Sequence, residues 1–251
     1  MTKMHGHGPV KIVMLHGWFG SAGAFDAMLP GLDNDRFSIL VPDAAGYGSR
    51  VGEGGPFTMQ RIADDALLAA DRAGWGRFTV LGHSMGGKAA LRMALSAPGR
   101  VDRLIGLTPV WAAPAPFDPE TLAFFRSAVR SMEARAEIID VSTGARLPST
   151  WVHEFAERSL VASSEEAFAG YLESWAHDDF AAAAAEVSIE TLIIVGAHDG
   201  GVPEMAVRAT WAKLPAARIL VLDQAGHYPM DECPLVLAAT IAQFLDPKSG
   251  R

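Results

Sequence analysis

Thr79-Val80-Leu81-Gly82-His83-Ser84-Met85-Gly86-Gly87-Lys88 runs from an apolar, β-branched segment through a glycine-flanked serine into a helix-forming run. It contains G-x-S-x-G, the pattern of a serine held on a sharp turn between a strand and a helix, with glycines where side chains would strike the neighbouring backbone. Arg77 to Leu81 supplies the strand and Lys88 to Ala97 the helix, so the motif has its context on both sides. Ser84 alone could serve as a helix N-cap, but a cap needs neither Gly82 nor Gly86. The residue after the serine stands at a helix N-terminus, where unpaired N–H groups and the dipole favour negative charge. An oxyanion would form there.

The 251 residues fit one domain, or one core with a sizeable insertion. A composition of 49% hydrophobic and 20% charged residues is that of a globular chain. The net charge of -8 argues against nucleic acid or an anionic membrane as the main partner. No stretch approaches the roughly eighteen consecutive apolar residues of a membrane span. Met1 to Pro9 lacks the apolar region of a secretory signal, and a cytoplasmic location is the expectation. Cys233 is the single cysteine, which excludes an intramolecular disulfide and a cysteine-based zinc cluster. His5 and His7 read as part of a loose polar terminus, and no metal or cofactor is implied.

Outward from the serine motif, Val10 to Leu15 is an apolar strand opening into His16-Gly17-Trp18-Phe19-Gly20, and Arg36 to Val41 is a second, closed by Pro42-Asp43. Ala22 to Leu29 has helical spacing. Met59, Ile62, Ala63, Ala66, Leu67 and Ala70 recur at three and four, with Thr58 as N-cap and Gly74 as stop. Arg103 to Leu107, Thr191 to Val195 and Arg218 to Leu222 complete six strands. Glu204 to Leu214 and Glu232 to Phe244 read as helices. Strands alternating with helices of this length imply an α/β fold: a mostly parallel sheet covered by helices on both faces.

Residues 110 to 185 interrupt the alternation. Pro109, Pro114, Pro116 and Pro119 lead into helical patterns over Glu120 to Ile139, Pro148 to Val161 and Ser164 to Ala176, with no strand among them. The expected organisation is a core of residues 1–109 and 186–251 with a helical lid insertion of residues 110–185 over the carboxyl edge of the sheet, where open α/β sheets bind ligands. Ten of the 21 aromatics fall between Trp111 and Phe180, which implies an apolar cavity beneath the lid, although Trp151, Phe155 and Phe168 could equally build the insertion's own core. Ala181 to Ala185 reads as a closely packed helix.

A serine hydroxyl is a poor nucleophile at neutral pH and needs a base, itself held in one tautomer by a third group. Thr191 to Val195 runs into Gly196-Ala197-His198-Asp199, and Arg218 to Leu222 runs into Asp223-Gln224-Ala225-Gly226-His227. Asp199 and His227 thus follow strands at the same edge as Ser84. His83 is adjacent to the serine, so its side chain points away from the nucleophile's face. His198 reads as a second-layer or surface residue, and His16 as a brace for its loop. Asp223 precedes the Gly-His turn and Asp231 follows it, which makes both weaker candidates for the acid than Asp199.

The order Ser84, Asp199, His227 resembles that of the α/β-hydrolase fold superfamily, and the resemblance extends from Val10 to the C-terminal helix. His16-Gly17-Trp18 is similar to its His-Gly-x oxyanion loop, Gly82 to Gly86 to its elbow, Gly196 to Pro203 to its acid loop, and Ala225-Gly226-His227 to its histidine loop. The resemblance implies a serine esterase or lactonase with a helical lid, catalytic residues Ser84, Asp199 and His227, and an oxyanion hole made by the backbone N–H groups of Trp18 and Met85. Members often open with an antiparallel hairpin, and nine N-terminal residues cannot hold a full one.

The expected function is cofactor-independent hydrolysis of a carboxylic ester, lactone or thioester through an acyl-enzyme. A carbon–carbon bond hydrolase or a perhydrolase would keep the same triad, and a non-catalytic receptor would keep only the fold. The expected substrate is a small molecule with an apolar acyl or ring part, held by Phe19, Trp111, Phe124, Trp151, Trp175 and Tyr228, with Phe117, Phe125 and Tyr171 adding apolar surface. Arg126, Arg130 and Arg135 are the residues that could hold a carboxylate instead. Neither nucleic acid nor membrane is an expected partner, and the chain is expected to be a monomer or homodimer.

Overall fold

The computed structural model describes residues 2 to 246. Its strands are β1 (Lys3–Gly6), β2 (Val10–Leu15), β3 (Phe37–Val41), β4 (Phe78–His83), β5 (Val101–Leu107), β6 (Glu190–Gly196) and β7 (Ala217–Leu222). They form one sheet in the order β1-β3-β2-β4-β5-β6-β7, parallel throughout except for β1, which runs antiparallel to β3. All residues of β3 and β4 are buried. Because successive strand side chains alternate faces, both faces of the sheet are covered there.

The seventh strand corrects the reading of a loose terminus. Lys3, Met4, His5 and Gly6 pair with Val41, Leu40, Ile39 and Ser38, so His5 is a strand residue and His7 follows the strand to meet Asp35 at 2.8 Å. Four residues are too short and too polar for periodicity to register, and the strand exists because β3 offers it an open edge. A full hairpin is not needed to close that side.

The helices are α1 (Met59–Arg72), α2 (Met85–Ser96), α3 (Pro119–Ser127), α4 (Met132–Ser142), α5 (Ser149–Ala162), α6 (Glu165–His177), α7 (Ala181–Ala184), α8 (Glu204–Thr210), α9 (Pro229–Glu232) and α10 (Pro234–Phe244). Thr58 caps α1 by accepting from the N–H of Arg61, and Gly74 follows it with φ +70°. Four expected helices are broken, among them Glu204 to Leu214, which ends as α8 at Thr210 and continues as a 3-10 turn over Trp211–Lys213. Ala22–Phe25 and Leu29–Gly31 are short 3-10 turns, because Pro30 and Gly31 end the pattern before an α-helix can propagate. The run from Glu120 to Ile139 divides at 128–131, where Ser131 caps α4 and the Arg135 guanidinium turns back onto the carbonyls of Ala128 and Val129. The C-terminal run divides at Cys233, ahead of Pro234.

Helices α3 to α7 all lie between β5 and β6 in the chain. Lys88, fully buried in α2, ties them to the core: its ammonium donates to the carbonyls of Ala113, Trp175 and Asp178 at 3.0, 2.9 and 2.6 Å. The backbone of Ser163 also bridges to Tyr47, in the loop after β3.

Candidate active site

Ser84 stands between β4 and α2 with φ 52° and ψ -118°, a conformation costly for a residue with a β-carbon. The turn is held from several sides. Its N–H donates to Leu107 at 3.0 Å, and its carbonyl accepts from Gly87 at 2.8 Å and Val110 at 3.0 Å. The glycines are there because space is absent. A β-carbon on Gly82 would lie 2.1 Å from the carbonyl oxygen of Gly86, and one on Gly87 would lie 2.4 Å from Pro109. Met85 opens α2, so its N–H belongs to the first turn, where backbone donors have no partner within the helix.

The loop after β2 approaches from the side. A β-carbon on Gly17 would come within 3.3 Å of that of Ser84. The indole of Trp18 donates to the carbonyl of Phe168 at 2.8 Å, and its own carbonyl accepts from the Tyr47 hydroxyl at 2.8 Å. Its ring stacks on Phe168 at 4.0 Å and meets Trp175 edge-on at 5.7 Å. The loop is braced as expected of His16. That ring accepts from Ala44 N–H through Nε2 at 3.1 Å, so Nδ1 carries the proton and donates to Gly17, and burial lowers its pKa, which keeps it neutral. Asp43 contributes a brace that sequence reading missed. Its carboxylate accepts from the N–H groups of Ala22 and Ser49 at 2.7 and 2.9 Å, joining the loops after β2 and β3.

Asp199 and His227 meet as their strands arrange. Nδ1 of His227 donates to Oδ2 of Asp199 at 2.7 Å, with side-chain exposures of 8% and 0%. The other carboxylate oxygen accepts from the N–H groups of Gly201 and Val202, each at 2.8 Å. A carboxylate receiving three donors has its orientation set, and it sets the imidazole in turn: with the proton on Nδ1, Nε2 is left with its lone pair. Gly196 permits the approach of these two loops, since a β-carbon there would lie 2.0 Å from the carbonyl oxygen of Gly226. Asp223 and His198 are exposed. Asp231 lies beyond the histidine in α9, where burial raises its pKa to about 6.

The aromatics named from sequence fall into separate groups. Trp18, Phe19, Phe168, Phe125, Phe117 and Trp175 form one packed set. Tyr228, directly after the histidine, packs on Phe155 at 4.6 Å and Trp151 at 6.2 Å. Trp111 instead packs on Trp211, and Phe124 meets only the edge of Phe125. A cleft of 240 Å³ opens between the loop from Phe19 to Ala24 and the face of α5 carrying Phe155 and Arg158. Of the arginines of the insertion, Arg126 meets Glu173 at 2.7 Å, Arg130 meets Glu165 at 2.8 Å and Arg135 is buried against backbone carbonyls and Ser159, while Arg158 lines the cleft together with Asp231. Among the described residues, Arg126, Arg130 and Arg135 form no open carboxylate site.

One edge of the sheet therefore carries a hydroxyl on a strained turn, an imidazole of fixed tautomer and helix N-terminal donors, the parts acyl transfer requires. A family model described as alpha/beta hydrolase fold matches residues 11–234. A pimeloyl-[acyl-carrier protein] methyl ester esterase of Klebsiella pneumoniae is 30% identical over 240 residues, covering 91% of each chain. Among solved structures, a thermophilic esterase from Thermogutta terrifontis is 25% identical with a TM-score of 0.82, over 98% of this chain and 92% of that one. An esterase from Exiguobacterium antarcticum shares the fold with a TM-score of 0.86 at 19% identity, over 97% and 94%. With the family model spanning β2 to α10 and a full-length relative at this identity, the chain belongs to the α/β hydrolase fold family, as an esterase-like member.

Proposed function

We propose that this chain hydrolyses carboxylic esters through an acyl-enzyme, with Ser84 as nucleophile, His227 as base and Asp199 as the group that orients it. The observation that carries the reading is the buried 2.7 Å hydrogen bond from His227 to Asp199 at the sheet edge where Ser84 is strained. The serine oxygen attacks the ester carbonyl carbon while its proton passes to Nε2 of His227. The carbonyl oxygen takes the negative charge against the N–H groups of Met85 and Trp18. The C–O bond to the alcohol then breaks, and His227 returns the proton to the departing oxygen. Water repeats the sequence on the acyl-enzyme, releasing the acid and restoring the serine.

Helices α3 to α7 act as the lid in this reading, and their charge narrows the substrate. Residues 110–185 hold 12 carboxylates against 5 arginines, a net -7 of the chain's -8. Since Arg126, Arg130 and Arg146 are paired with glutamates, the lid favours neutral or cationic esters over anionic ones. The esterase relatives are named for a methyl ester, which makes methyl esters of medium-chain acids the first substrates to try. The test is labelling with a fluorophosphonate together with turnover of a p-nitrophenyl ester. Wild-type protein should show both and Ser84→Ala neither, and activity surviving in a folded Ser84→Ala variant would overturn the assignment.

A further inference from the structure

His83 lies between Gly82 and the nucleophile, yet its ring reaches the opposite loop. Its Nε2 lies 2.8 Å from the backbone carbonyl oxygen of His227. A carbonyl only accepts, so Nε2 carries the proton and Nδ1 does not. Nδ1 is buried, has no hydrogen-bond partner among the described residues and faces Gly17, where an added β-carbon would lie 2.5 Å away. A second donor meets the same carbonyl: the hydroxyl of Thr108 is 3.0 Å from His227 O and 2.8 Å from Leu107 O. Thr108 is fully buried and holds φ 43°, and its N–H donates to Ile194 at 2.7 Å. On the other side, the N–H of His227 donates to Ser142 at 3.0 Å. A strained residue and an otherwise unpartnered imidazole, both out of solvent, converge on one carbonyl.

We propose that His83 and Thr108 are positioning residues that clamp the main chain of His227 to the elbow strand and to the end of β5. Asp199 holds the imidazole by its Nδ1, but a ring swings with its backbone, and the carbonyl is the other fixed point. The clamp also explains why an ionisable group can sit with its ring centroid 5.1 Å from that of His227. Protonation of His83 would bury a second N–H without an acceptor at Gly17 and set a like charge beside the base, with His16 nearby as well. Burial and these neighbours hold its pKa well below the ordinary histidine value. His83 therefore stays neutral while His227 takes and returns its proton.

The inference rests on the proposed ester hydrolysis, and the experiment separates the two. kcat and KM for a p-nitrophenyl ester are measured for wild type, Ser84→Ala, His83→Leu, His83→Asn, His83→Gln and Thr108→Ala, with melting curves for each. The glutamine amide places a donor close to the position of Nε2, whereas the leucine and the shorter asparagine do not. His83→Leu and Thr108→Ala should each lower kcat by about tenfold, the weight of one buried hydrogen bond read as a rate, with KM within about twofold. His83→Gln should recover most of that loss. Should His83→Leu fail to fold, the comparison of His83→Asn with His83→Gln decides in the same way. Imidazole 15N spectra should show His83 as the Nε2–H tautomer, unchanged between about pH 6 and 8. If Ser84→Ala abolishes activity but His83→Leu behaves as wild type, or if His83→Gln is as impaired as His83→Asn, the clamp is wrong while the hydrolase reading stands. Retained activity in Ser84→Ala would instead overturn the hydrolase reading on which the clamp depends.

Discussion

A β-carbon on Gly86 would sit 2.4 Å from the carbonyl oxygen of Leu15, a separation that no packed carbon can occupy. Gly86 is in the first turn of α2 and Leu15 ends β2, so the N-terminus of the elbow helix rests directly on the strand that delivers Trp18. The two backbone donors proposed for the oxyanion are brought together by this contact. It is main chain against main chain, and no rotamer change can relieve it.

Gly86→Ala should accordingly lower stability by about 1–3 kcal/mol through overpacking and depress kcat far more than KM, because α2 must lift away from β2. Gly76→Ala is the matched control, since a β-carbon there meets nothing within 4 Å. Urea unfolding and steady-state kinetics on both variants check this. Equal effects at the two positions would refute the role of the contact.

Asp199→Asn should lower kcat by roughly 10³ to 10⁴-fold with the fold retained. The amide oxygen can still accept from Gly201 and Val202, but the amide nitrogen cannot accept from Nδ1 of His227, and the imidazole loses its tautomer. Asp223→Asn, on an exposed side chain, should change little. Kinetics of the two variants decide between them, and a larger loss at Asp223 would reassign the acid.

Lys88→Met should destabilise the protein by about 2–4 kcal/mol, because the carbonyls of Ala113, Trp175 and Asp178 lose their shared donor inside the molecule. Hydrogen exchange should show the loss concentrated in α6 and in the segment leading to α3. A uniform change across the chain would mean that Lys88 does not anchor the insertion.

Burial raises the Asp231 carboxyl from 3.8 to about 6, which fixes the sign of a pH effect. A carboxyl whose folded pKa is raised loses stability as pH climbs from 3.8 to about 6, where the unfolded chain ionises and the folded one does not, so the cost is small near pH 4 and complete above about pH 7. Asp231→Asn should therefore raise the melting temperature only slightly near pH 4 and raise stability by about 1–3 kcal/mol near pH 8. Calorimetry at the two pH values tests it, and a gain of equal size at both would exclude ionisation as the cause.

Along a p-nitrophenyl series from acetyl to decanoyl, kcat/KM should rise over the first acyl carbons, by up to about fourfold per methylene at about 0.8 kcal/mol for each one buried. It should then level or fall when the chain outgrows the cleft between Phe19 and Phe155. Half-esters of dicarboxylic acids should be poor substrates, because Arg126 and Arg130 of the insertion hold glutamates and Arg158 shares the cleft with Asp231. A strict preference for acetyl, or for a half-ester, would show that these aromatics only pack the insertion's own core.

Local chemistry is what could be read from the chain alone. The apolar runs of β2 to β7 announce themselves because a buried strand must be apolar along its length, and α1 because Thr58, the three-and-four spacing and Gly74 act within a few residues of one another. The glycines around Ser84 are legible because backbone clearance allows nothing larger. Residues whose role depends on partners distant in sequence left no such trace. The four residues from Lys3 to Gly6 became β1 only because β3 had an open edge. Arg135, one of three arginines set aside for a carboxylate, turned back to cap a helix and lie buried. The aromatics between Trp111 and Phe180 could be counted, but their composition does not say whether a ring meets another ring or a substrate, and folding placed Trp111 on Trp211 and Phe155 against Tyr228, the residue after His227. The carbonyl of His227 receives donors 144 and 119 residues away in the chain. Periodicity and motif spacing report on neighbours within a turn or a strand, and contacts at that distance exist only once the sheet has set its strand order.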